Sequence, residues 1–194
     1  MKGWYNWLLN FLFPSTIIST FFILYFGYQF LKGSITLLKL LYWLIFGIYF
    51  TCIINFTLFP FPYQKYLIQV MIEDQLGHNH NFIPFKSIVD TINYGSISIV
   101  LKQIAGNVLL FIPLGFAFPI LFFKITNIKT IVIGFTLSLA IELIQAIIGM
   151  FLGYNYRSCD VDDLILNTIG TIIGLAIYNA SSRHFKSFEE FTET

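Results

Sequence analysis

The chain has 194 residues, 57% of them hydrophobic and only 11% charged, with a net charge of +1. A soluble domain carries about 25% charged residues, so this composition, with a mean hydropathy of +0.76, argues against a water-soluble globule and for a polytopic membrane protein. With near-neutral charge and no Lys/Arg cluster, no nucleic-acid footprint is present.

A helix needs about 20 mainly apolar residues to cross the hydrocarbon core, and five stretches approach this in chain order. The first runs from about Ser15 to Leu31, after the aromatic WYNWLLNFLF (4–13), whose Trp4, Tyr5 and Trp7 suit the membrane interface. Pro14 is expected to mark the turn into this span. No small-residue cleavage site follows the apolar run, so a removable signal peptide is not expected. The second span runs from Leu37 to Phe59 and ends at FPFP (59–62); the third from Ile104 to Phe123; the fourth from Thr130 to Leu152; the fifth from Asp163 to Tyr178. The expected fold is therefore all-α, a polytopic membrane helix bundle of about five transmembrane helices with one long loop, 61–103, between the second and third. A loop of that length with apolar content is functional or partly membrane-associated.

Cys52 lies in an apolar run and Cys159 in a polar loop, at depths too different for a disulfide. His78 and His80 in GHNHN (77–81) have metal-compatible spacing, but two loop histidines read as solvated residues, and no metal is expected. No GxSxG, HExxH or P-loop pattern is present, and no cofactor is expected.

Residues three, four, seven and eleven apart share a helix face. Ser138, Glu142, Gln145 and Gly149 form one polar stripe; Asp160, Asp163, Asn167, Gly170 and Gly174 form another; the third span opens with Gln103 and Asn107. The glycines allow a neighbouring helix to approach closely. At 1.5 Å per residue, Gln145 lies roughly 10 Å and Glu142 about 15 Å inward from Leu152. The expectation is a polar pocket open to one face, with Glu142 as its floor and Arg157, Asp160, Asp162 and Asp163 at its mouth. A charged carboxylate at the bilayer centre costs at least ~2.5 kcal/mol, so Glu142 is expected to be protonated, paired or hydrated, with Gln145 or Asn107 as partner. Pro113 is expected to kink the third span and free the Leu109 carbonyl beside Asn107 and Asn167. Arg157 is read either as paired with the aspartates or as a fork for a phosphate or carboxylate.

Basic residues divide five against six between the two faces, but Lys32, Lys39, Lys124 and Lys129 sit in short loops, where the positive-inside rule acts most strongly. That orients the N-terminus outside and the C-terminus in the cytoplasm, with the long loop extracellular.

The segments NFIPF (81–85), NVLLFIPLGF (107–116), SLAIELIQ (138–145) and RSCDVDDLILNTIGTIIG (157–174) together resemble the VanZ-like family in order and spacing. The resemblance covers about half the chain. It implies a small multi-pass protein of the bacterial cell membrane, mainly Gram-positive, whose namesake is associated with resistance to the glycopeptide teicoplanin. It divides the chain into a two-span region with the start of the loop (1–80), a VanZ-like core of three spans (81–180) and a short polar tail (181–194). The family residues carry over as Asn81, Pro84 and Phe85 in the loop, Asn107 and Pro113, Glu142 and Gln145, and Arg157, Asp160, Asp163 and Asn167. Two functions follow. One is a binding protein at the outer face that engages membrane lipid, a cell-wall lipid precursor or the glycopeptide itself. The other is a membrane-embedded hydrolase or transferase on a lipid-linked substrate, with Glu142 and an aspartate as acid and base. A proton-coupled transporter is disfavoured because the other half of spans three and five is apolar.

Overall fold

A computed structural model describes residues 2–62, 64–122 and 124–192. It contains α1 (Lys2–Leu31), α2 (Leu37–Leu58), α3 (Lys65–Glu73), α4 (Lys86–Tyr94), α5 (Ile97–Val100), a π turn (Leu101–Ala105), α6 (Gly106–Leu121), α7 (Asn127–Leu152) and α8 (Val161–Thr192). Among the described residues four stretches are long and apolar enough to cross a membrane: Leu37–Leu58, Ile97–Leu121, Asn127–Leu152 and Val161–Ser181. Ser15–Leu31, within α1, is a shorter apolar stretch. The all-α membrane fold expected from composition is the fold observed.

Several features differ from the sequence expectation; α8, for one, runs on to Thr192 through the segment expected as a polar tail. The first helix begins at Lys2 and continues through Pro14. A proline forfeits only its own N–H bond and crowds one carbonyl, and membrane helices tolerate this where neighbours satisfy the freed group. The third span begins at Ile97 rather than Ile104, because a π turn carries Lys102 and Gln103 into the helix instead of ending it. It then continues through Pro113 and Pro119 to Leu121. The long loop is not irregular: it holds α3 and α4, nine residues each.

The chain forms two compact units. One holds α1 and α2 with short stretches at Ile120 and beyond Tyr178. Here the ring of Phe26 stacks on Trp43 at 4.2 Å, and Gly47 lets α1 approach so closely that a Cβ there would lie 2.6 Å from Phe22 Cγ. Asn55 Nδ2 donates to Ser15 Oγ at 2.8 Å across the same pair of helices.

The second unit runs over Pro62–Pro119 and Lys124–Ile177 and carries the polar stripes. Its helix starts and stops are locally encoded. Thr126 caps α7 by accepting from Lys129 N at 3.3 Å, as a threonine at that position does. Gly153, at φ 76°, ends α7 in the left-handed conformation that glycine adopts without a Cβ penalty. The residues that α7 buries are Thr130, Gly134, Ser138, Ile141, Glu142, Gln145 and Gly149. They follow helical spacing, so the polar stripe turns away from lipid.

Backbone touches backbone between α6 and α8. A Cβ on Gly170 would stand 2.2 Å from the Val108 carbonyl oxygen, and one on Gly115 would stand 2.0 Å from that of Thr171. Such closeness is available only to small residues, and it contributes packing where the hydrophobic effect does not operate.

Candidate functional site

The site begins with a pairing far apart in sequence. Residues 78–81 lie beside the linker 155–161. His78 N donates to Asn155 O at 2.8 Å, Asn81 N to Cys159 O at 2.9 Å and Val161 N to Asn81 O at 3.0 Å, a short parallel bridge between Asn81 and Asp160. Side chains seal it. Ser158 Oγ donates to Asn79 O at 2.6 Å, and His80 Nδ1 accepts from Cys159 N at 3.0 Å. That bond makes His80 Nδ1 an acceptor, engaged by the linker backbone.

The linker does not stay outside. Asp160 N donates to Glu142 Oε2 at 2.8 Å. Glu142 lies ten positions before the end of α7 at Leu152, about 15 Å of helix. The linker therefore doubles back along α7, and α8 starts level with Glu142. Gly149 makes room, since a Cβ there would lie 2.7 Å from Asn155 Oδ1. The floor and the mouth of the expected pocket thus meet. Glu142 is partnered by the Asp160 amide, where Gln145 or Asn107 was expected.

Each aspartate has its own partner. Asp160 Oδ1 accepts from Asn81 Nδ2 and from Asp162 N, both at 2.8 Å. Asp163 Oδ1 accepts from Asn107 Nδ2, which joins α6 to α8. Asp162, only 1% exposed, accepts from Phe85 N and, at 3.1 Å, from Ile88 N. These are the N-cap and third residues of α4, so Asp162 supplies from 77 residues away the cap that Phe85 cannot. Phe85 itself stands at φ 67°, an uncommon conformation for a bulky residue. Pro84, beside it, is exposed.

One turn below Glu142 and Asp163, Asn167 Nδ2 donates to Ser138 Oγ at 2.9 Å. Asn167 Oδ1 is buried and has no hydrogen-bond partner among the described residues. Gln145 is also buried, on α7. Arg157 lies in the linker, close enough for its charge to act on Asp163 and Tyr156. The amide bonds shown run to side chains, Asn107 Nδ2 to Asp163 and Asn167 Nδ2 to Ser138, where the carbonyl freed at Pro113 was the expected acceptor.

The bonds fall into three groups: Asn81, Asp160 and Glu142, with the Phe85 backbone tied in through Asp162; Asn107 with Asp163; and Asn167 with Ser138. Gln145 is buried on α7 and Arg157 lies in the linker. Pro113 lies further along α6. Asp162, expected only at the pocket mouth beside Arg157, instead caps α4, and Ser138 of the expected stripe is the acceptor for Asn167. Asp162 falls off the helical face shared by Asp160 and Asp163, so periodicity passes over it. Its partners are backbone groups, which leave no sequence signal.

Burial pushes the Cys159 thiol up, and the charges of Glu142, Asp160 and Asp163 add to it. The thiolate is the nucleophile. Alkylation of Cys159 in a Cys52→Ser background should therefore run slower at neutral pH than for an unhindered thiol, and its rate should keep rising beyond about pH 8.5, where a free cysteine titrates. A profile that levels off near that pH contradicts this placement.

These features define a polytopic helical membrane protein whose buried polar site is closed by a returning linker. The family model described as VanZ/LLP1 matches residues 46–182, and the chain belongs to that family. It is 31% identical over 83 residues to Protein VanZ of Enterococcus faecium, an overlap of 43% of this chain and 48% of that protein. The chain thus matches about half the length of this curated relative. No solved structure matches it.

Proposed function

We propose that this protein lowers susceptibility to glycopeptide antibiotics of the teicoplanin type by holding a polar headgroup or a lipid-linked cell-wall precursor in the site around Asn167. The observation that carries the binding part is the buried Asn167 Oδ1, which lacks a protein donor. An acceptor left so costs about 1–3 kcal/mol, and a hydroxyl, amide or ammonium of a ligand recovers it. Arg157, in the linker above, suits the phosphate of the same ligand through its planar fork. The resistance part rests on membership of the family and on the likeness to Protein VanZ. In this reading the protein sits in the bacterial cell membrane with its N-terminus outside, so that the linker over the site faces outward.

The test uses Glu142→Gln, Asn167→Ala and Arg157→Ala, each checked for normal protein in the membrane. Each should lose about tenfold in ligand affinity, the value of one hydrogen bond, and shift teicoplanin susceptibility accordingly. Unchanged susceptibility in all three overturns the proposal. A membrane-impermeant maleimide reaching Cys159 only from the cytoplasmic side removes its outer-face part.

A further inference from the structure

The loop and helix clamped by Asp162 present an apolar surface that no segment among the described residues covers. Phe82 is 71% and Phe85 59% exposed, and Ile83, Val89 and Ile92 are exposed with them. Val89 and Ile92, three apart, share one stripe of α4, and Phe85 precedes them at its N-cap. Lys86, Asp90 and Asn93 are exposed on the adjoining flank. Ser87, Ile88 and Thr91 are more covered and turn the third flank inward. Thr91 Oγ1 donates to Gln103 Oε1 at 2.9 Å, which holds that inner flank against the start of a membrane span. The same span opens with exposed Ile97, Ile99 and Leu101. The stripe and the opening of that span are thus both apolar and exposed.

We propose that residues 82–92 form an interfacial anchor: Phe82, Ile83, Phe85, Val89 and Ile92 sink into the boundary between headgroups and acyl chains of a phospholipid leaflet. The occupant is lipid rather than another protein for two reasons. The helix is tied at its inner flank to a membrane-crossing segment, which fixes it at the bilayer surface. It also divides into an apolar stripe and a charged flank, the pattern of a helix lying in the plane of the interface. The Asp162 carboxylate then has a second consequence. By holding Phe85 and Ile88, it fastens the lipid-anchored helix to the polar network. This inference does not depend on what the polar site binds.

The test places bimane on single cysteines at Phe82, Val89, Ile92 and Asp90 in a Cys52→Ser/Cys159→Ser background. The protein is reconstituted into phosphatidylcholine vesicles containing phosphatidylglycerol. Lipid-borne doxyl groups should quench the first three sites severalfold more than Asp90, and aqueous iodide should show the reverse order. A Val89→Ser/Ile92→Ser variant labelled at Phe82 should lose most of the lipid quenching while retaining its elution profile. Equal iodide quenching at all four sites overturns the proposal. Shielding of Phe82, Val89 and Ile92 from both quenchers also overturns it, and assigns the stripe to a protein contact such as a second copy.

Discussion

Gly174→Val should abolish accumulation of folded protein in the membrane. A Cβ at Gly174 stands 1.9 Å from the Ile112 carbonyl oxygen and 2.9 Å from Phe116 N. Both are backbone atoms of α6, so no side chain can swing aside. The helices must separate, and separation also strips the contacts that Gly170 makes with Val108 and Gly115 with Thr171. Overpacking a rigid core costs about 1–3 kcal/mol, and more when backbone has to move, against a total stability of about 5–15 kcal/mol. Because valine is β-branched, relief by rotamer change is restricted. The control is Gly27→Ala on α1, where an added Cβ meets nothing within 4 Å and helix propensity favours alanine by about 1 kcal/mol. Membrane fractions and detergent melting curves of the two variants should diverge: Gly174→Val lost, Gly27→Ala equal to or above wild type. A Gly174→Val protein that accumulates and melts normally would mean that α6 and α8 do not touch in this way.

The same helices explain how far the site was legible. The stripe Ser138–Glu142–Gln145–Gly149 was readable because a polar residue in a span must face protein or water, and helical spacing then places the others on its face. Gly170 and Gly174 were readable as an approach surface for the same reason. The linker is where helical rise alone misplaces residues. Helical rise fixes how far Glu142 lies from Leu152, but it says nothing about whether residues 153–160 stay above the helix end or return beside it. The Asp160–Glu142 bond shows that they return. The helices α3 and α4 were invisible for another reason. Nine residues give only about two and a half turns, too few for a period to stand out against the neighbouring apolar run. The cap of α4 by Asp162 joins a side chain to the backbone of a distant segment, and backbone donors are the same at every position.

Asp160→Ala should be the most damaging substitution within the polar network, and Asp160→Asn should be far milder. One oxygen, Asp160 Oδ1, accepts from both Asn81 Nδ2 and Asp162 N. Alanine leaves two buried donors without partners, at about 1–3 kcal/mol each, or about 2–6 kcal/mol together. It keeps the backbone N–H that Glu142 uses, so the loss reports the side chain alone. Asparagine returns a carbonyl oxygen to the same place and preserves both bonds. It also removes one negative charge from a cluster that holds Glu142, Asp162 and Asp163. Melting in detergent should therefore rank wild type near Asp160→Asn and well above Asp160→Ala. The pairing with the loop adds a second constraint. In an Asn81→Ala/Asp160→Ala cycle the double variant should be less damaged than the sum of the singles, by about 1–2 kcal/mol, because residues sharing a hydrogen bond do not act independently. If Asp160→Asn falls as far as Asp160→Ala, the carboxylate is needed for its charge rather than as an acceptor. The network then works as an anion cluster with a bound counter-charge, and Arg157, the cation in the linker, becomes the group to change next.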